Sequence, residues 1–156
     1  MPRILIVAYG NPLRSDDGLA WRAADELEGK FPESEVEILR LHQLAPELAE
    51  AVSRFEAVIF VDAAAAGTSP AGEVRCEEIL LSARESRFSH HLSADAVVAL
   101  ARQLYGATAR AFYVTSSGQC FDHGESLSPT VAAGLPLLVA QVESLVQRFL
   151  SGNSPG

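Results

Sequence analysis

Cysteine is scarce in this sequence. Cys76 and Cys120 are too few for a disulfide framework and form no CxxC pair, so both read as reduced thiols. Basic charge is also short: 12 Lys and Arg stand against 20 Asp and Glu, a formal net charge of −8. Nucleic acid and anionic membrane both require a positive footprint, so neither is expected as a partner. Long apolar runs are absent too. "ILIVAY" is too short for a signal-peptide core and ends in a turn, and no run approaches the roughly 20 residues of a membrane span. These absences make a soluble, cytoplasmic protein the expectation. Four catalytic signatures are missing as well: GxGxxG, a GK[ST] ending, HExxH and GxSxG.

What is present is a chain of 156 residues, nearly half of them apolar, enough for one domain with a sizeable core. No repeat or linker divides residues 1–150, and "SGNSPG" reads as a flexible tail at 151–156. Strand-like and helix-like segments alternate. Arg3 to Ala8 and Ala57 to Val61 are continuous apolar runs, the mark of strands buried on both faces. Glu35 to Arg40, Gly72 to Ile79 and Ala109 to Thr115 add three further strands. Helices are predicted at Asp17 to Lys30, Pro46 to Phe55, Ser93 to Tyr105 and Pro129 to Leu150, the last two capped by Ser93 and Ser128. Gly134 and Pro136 are expected to bend the last helix. The pattern implies an α/β sandwich around a mainly parallel sheet. Sites in such sheets gather at the carboxyl ends of the strands.

The residues at those ends are informative. Asn11, Asp16 and Asp17 follow the first apolar run within "GNPLRSDDGLAWRAADEL"; Asp62 ends "AVIFVD"; His90 and His91 precede the third predicted helix. Adjacent carboxylates repel, so the pair Asp16-Asp17 needs a reason. A helix cap or first-turn carboxylate would account for Asp16 and, less readily, for Asp17. Asp62 reads either as the floor of a cleft or as an Asx-turn residue. Two carboxylates and one imidazole form a plausible set for a divalent transition metal. His42 and His123 are further candidates. Ser117 and Cys120 lie with Asp122 and His123 in one short stretch. Triad members meet in space and not in such a run, so a nucleophile there is disfavoured. Gly118 and Gly124 read as loop glycines, with Phe121 plugged beneath them.

Four stretches, in order, resemble the [NiFe]-hydrogenase maturation endopeptidases. "ILIVAYGNPLRSDDGLAWRAADEL" is similar to that family's opening strand, GNxLxxD[DE]G turn and first helix, and "AVIFVDAA" to its central strand. "SHHLS" is similar to its Ser/Thr-His-x-Leu-Gly/Ser stretch, and "FDHGESLSPTVAAGLP" to its Gly-x-x-Leu-Ser/Thr-Pro segment. The resemblance implies a three-layer α/β/α sandwich around a twisted, mainly parallel five-stranded sheet of the phosphorylase/hydrolase-like kind. It implies an endopeptidase that removes the C-terminal extension of a hydrogenase large-subunit precursor after nickel insertion. The nickel is then carried by the substrate as a recognition element, and no organic cofactor is needed.

Carried over residue by residue, the family's nickel-contacting positions fall on Asp17, Asp62 and His90. A one-residue shift would select His91 instead. Asp17 stands where the family often has Glu, one methylene longer. Asn11, Asp16, His91 and His42 are possible supporting residues, and "LHQLAPELAE" replaces a common glycine-rich segment. Two chemical routes remain open. Metal held by the triad could polarise the scissile carbonyl or activate water, or one carboxylate could act as base while nickel positions the substrate. A non-catalytic nickel carrier or chaperone in hydrogenase assembly would use the same residues.

Overall fold

A computed structural model describes residues 2–67, 69–80 and 92–152. Its central sheet has the order β2-β1-β3-β5-β4. These strands are β1 (Ile4–Tyr9), β2 (Val36–Leu41), β3 (Ala57–Ala64), β4 (Val74–Glu78) and β5 (Arg110–Ser117). Neighbours among β1, β2, β3 and β5 are parallel, and β4 closes one edge antiparallel to β5. The two apolar runs singled out in the sequence, β1 and β3, lie side by side in the interior. Both faces of each are covered, which is why neither alternates.

Helices α1 (Leu19–Leu27) and α4 (Pro129–Leu150) cover one face; α2 (Leu48–Val52) and α3 (Ala94–Tyr105) cover the other. Strand parity divides the core. Ile4, Ile6, Ala8, Ile59 and Val61 pack under α1 and α4, whereas Leu5, Val7, Val58 and Phe60 pack under α2 and α3. This is the expected three-layer α/β/α architecture with five strands.

Several boundaries differ from expectation. The predicted helix at Asp17 to Lys30 begins with a 3₁₀ turn at Ser15–Gly18, and α1 runs only from Leu19 to Leu27. Gly18 is pressed against the turn's own start: a Cβ there would stand 2.9 Å from Pro12 Cα. β3 continues past Asp62 to Ala64 because β5 keeps pairing with it, Asp62 opposite Thr115 and Ala64 opposite Ser117. α2 is shorter than Pro46 to Phe55. Ser93 caps α3 as expected, its hydroxyl accepting from Ala96 N at 3.1 Å. Ser128 precedes α4 but does not cap it with its side chain, which is engaged elsewhere.

No uninterrupted apolar run approaches a membrane span, yet the last helix, α4, with 22 residues, meets a test of length and average composition for one. Its Val131, Leu138, Val142 and Val146 are buried in the domain core. α4 remains one helix through Pro136. Gly134 has a packing role, since a Cβ there would meet Gly72 O at 2.7 Å.

Candidate functional site

The carboxyl-terminal parts of β1 and β3 and the middle of β5 each present a polar side chain on the α2/α3 face. Ala8 pairs with Val61, so Tyr9 and Asp62 are the next residues along adjacent strands. Tyr113 pairs with Phe60, which shares its face with Asp62. The Tyr113 hydroxyl donates to Asp62 Oδ2 at 2.9 Å, and the Tyr9 hydroxyl donates to that of Tyr113 at 3.3 Å. Asp62 Oδ1 accepts from Ala63 N at 2.8 Å. Burial is the main cause that pushes the Asp62 carboxyl up to about 6; the hydrogen bonds oppose the rise and the charge of Asp17 adds to it. Burial, followed by the Asp62 charge, also raises both phenols above their ordinary range.

The second carboxylate comes from the turn after β1. Asp17 Oδ2 accepts from Asn11 N at 2.8 Å, and Asn11 Oδ1 accepts from Leu13 N at 2.9 Å. The turn closes tightly because Gly10 has φ +146; a Cβ there would lie 2.1 Å from the Asp17 carbonyl oxygen. Asp17 is half-buried and close enough to Asp62 to disfavour a second negative charge.

Asp16 does something different from the capping expected of it. No side chain caps the 3₁₀ turn or α1. The Asp16 carboxylate is fully buried and accepts four hydrogen bonds from across the fold: Gln119 N, Cys120 N, Ser128 N and Ser128 Oγ, at 2.7–2.8 Å. Burial alone would raise its pKa, but these donors hold the carboxyl below the usual range. The cap reading fails because the backbone amides of the β5–α4 connection claim both oxygens. Ser15 strengthens the same junction. It sits at φ +51, fixed by Ser15 N to Gly124 O at 2.7 Å and Ser15 Oγ to Asp122 O at 2.8 Å.

Asp17 and Asp62 are thus brought together with Asn11 beside them, and Asp16 anchors the turn from behind. His90 and His91 lie outside the described residues. His42 is exposed, its ring edge-on to Trp21 at 5.2 Å between centroids, and His123 is exposed in the β5–α4 connection. Among the described residues, no three His, Cys, Asp or Glu side chains gather as a metal site. Ser117 is buried with its hydroxyl bonded to Ser69. Cys76 and Cys120 are free thiols, and Cys120 Sγ makes only a long contact of 3.7 Å to Asp122. Neither Ser117 nor Cys120 has the arrangement of an activated nucleophile. Phe121 packs against the core under Gly118, where a Cβ would meet its ring at 2.5 Å.

Sequence reading did not find Tyr9, Tyr113 or Ser15. For the tyrosines a signal was available: both have the parity that puts them on the Asp62 face once β1, β3 and β5 are aligned. Ser15 carries no such signal, because its strained backbone is imposed by Asp122 and Gly124.

No family model and no curated protein matches the sequence. Solved structures do. The hydrogenase maturating endopeptidase HybD from E. coli superposes with a TM-score of 0.77 at 23% identity, covering 93% of each chain. The [NiFe] hydrogenase maturation protease HybD from Thermococcus kodakarensis gives 0.70 at 25% identity, over 92% of this chain and 99% of that one. The maturation protease HycI from Thermococcus kodakarensis KOD1 gives 0.72 at 21% identity, over 93% and 92%. The fold is therefore shared along nearly the whole chain.

Proposed function

From a fold held in common with the hydrogenase maturation endopeptidases, we propose that this protein is a processing endopeptidase of the same kind. Its substrate is the precursor of a [NiFe]-hydrogenase large subunit, from which it removes the C-terminal extension after nickel insertion. The observation that carries the chemistry is Asp62, a largely desolvated carboxylate whose pKa lies at about 6, close to Asp17. A base with that pKa accepts a proton near neutrality and returns it in the next step.

In this mechanism Asp62 takes a proton from water as the water oxygen attacks the scissile carbonyl carbon. Protonated Asp62 then gives that proton to the departing amide nitrogen as the C–N bond breaks. Asp17, Asp62 and His90 contact the substrate's nickel, which acts as a recognition element, so that cleavage follows metal insertion. Oxygen and imidazole donors suit nickel. The protein needs no organic cofactor and works as a soluble, cytoplasmic enzyme.

The test is a mass-resolved cleavage assay on the large-subunit precursor with and without inserted nickel. Nickel-dependent loss of the C-terminal peptide is expected, and Asp62→Asn should abolish it in a folded protein. Binding of a correctly loaded precursor without any cleavage would replace this reading with that of a non-catalytic nickel carrier or chaperone.

A further inference from the structure

An aspartate side chain on a strand is poorly oriented by its own torsions. Its terminal torsion is broad and roughly two-fold, so a carboxylate with no partners sweeps through many planes. Asp62 has a partner on each oxygen: Ala63 N on Oδ1 at 2.8 Å and the Tyr113 hydroxyl on Oδ2 at 2.9 Å. Two donors on opposite oxygens fix both the place and the plane of the group.

The Tyr113 hydroxyl is itself oriented. It has one proton, which goes to Asp62, and a lone pair that accepts from the Tyr9 hydroxyl at 3.3 Å. The Tyr9 hydroxyl also lies within hydrogen-bonding reach of Asp62, so the two phenols and the carboxylate form one cluster. The two rings pack against the apolar cluster under α2 and α3. Each member stands on a different strand of the parallel core, β1, β3 or β5, so the frame that holds the hydroxyls is rigid. A phenylalanine at position 113 would fill the ring volume equally well. The hydroxyl adds orientation, at the cost of burying a polar group that only its hydrogen bonds offset.

We propose that Tyr113 is a positioning residue for hydrolysis: its hydroxyl, backed by that of Tyr9, holds the Asp62 carboxylate in the orientation that receives the proton of the attacking water. This inference rests on the reading of Asp62 as the base. Tyr113 acts through Asp62, to which its hydroxyl is bonded at 2.9 Å. Misplacing a reacting group by about 1 Å can cost on the order of 100-fold in rate, so the expected effect falls on turnover and not on substrate binding.

The experiment compares wild type, Tyr113→Phe and Tyr9→Phe in two measurements. In cleavage of nickel-loaded large-subunit precursor, Tyr113→Phe should lower kcat about 10- to 100-fold with KM within about threefold of wild type. Tyr9→Phe, which leaves the Tyr113–Asp62 bond in place, should lower kcat by less than Tyr113→Phe does. In crystal structures at one pH, the Asp62 carboxylate should hold one orientation in wild type and turn, or split between orientations, in Tyr113→Phe. An unchanged kcat in Tyr113→Phe, or a reduced kcat with the carboxylate orientation unchanged, overturns the inference. If wild type leaves the loaded precursor intact, the endopeptidase reading fails, and the crystal comparison still decides whether Tyr113 orients Asp62.

Discussion

Ser128 grips the buried carboxylate of Asp16 twice: its amide donates to Oδ1 at 2.7 Å and its hydroxyl to Oδ2 at 2.8 Å. This joins the turn that presents Asp17 to the first residue before α4, 112 positions later. Arg14 and Gly124 form a bridge at the same junction. The turn that presents Asp17 is therefore held by a segment distant in the chain.

Replacing Asp16 by alanine should cost about 2–4 kcal/mol, because three backbone amides and a hydroxyl lose a shared buried acceptor. Urea unfolding at pH 7 measures this loss. The sign with pH follows from a folded-state pKa below the unfolded one. The contribution of Asp16 is fully present above an unfolded value of about 3.9 and is lost as pH falls through the folded value. The difference between wild type and Asp16→Ala should therefore shrink in strong acid. A difference that stays constant from pH 5 to 2 would refute the assignment.

Asp62 has the opposite linkage. Its folded pKa of about 6 lies above the unfolded value, so its favourable term is complete below about pH 3.9 and is lost as pH rises through 6. Above that, ionised Asp62 burdens the fold. Asp62→Asn should raise stability by about 1–3 kcal/mol at pH 7.5 and by much less at pH 4, while removing cleavage. Paired unfolding curves at the two pH values decide this. Equal stability changes at both would mean the carboxyl is not perturbed.

If Asp62 is the base, kcat/KM should fall as pH drops below about 6, approaching tenfold per pH unit. The profile should be read on the free enzyme with a fixed, nickel-loaded precursor. A flat acid limb down to pH 4.5 would remove Asp62 from that role.

Gly10→Ala should lose more activity than its folded fraction explains. The added Cβ would meet the Asp17 carbonyl oxygen at 2.1 Å and Asp17 Oδ1 at 3.4 Å, in a backbone region that alanine disfavours. A stability loss of about 2–4 kcal/mol is expected, with Asp17 displaced from Asn11. Activity measured well below the melting temperature, normalised to folded protein, separates the two effects.

The sequence by itself determined the class of fold. β1 and β3 are legible because strands covered on both faces must be apolar throughout, and α1, α3 and α4 because each shows one apolar side. It also singled out Asp17 and Asp62, since carboxylates placed at the ends of such strands stand out without any knowledge of contacts. Cap chemistry was legible at Ser93, where donor and acceptor are three residues apart. At Asp16 and Ser128 it was not, because both carry residue types that suit a helix start and bond instead to each other.

Only the tertiary structure decided where β3 ends, since pairing with β5 extends it past Asp62. The same holds for the role of Tyr9 and Tyr113. Aromatic residues in strands read as ordinary core until the order β1-β3-β5 aligns their hydroxyls with one carboxylate. The perturbed pKa of Asp62 is likewise a property of the assembled fold. It comes chiefly from desolvation by burial, which exists only once the strands and helices have packed.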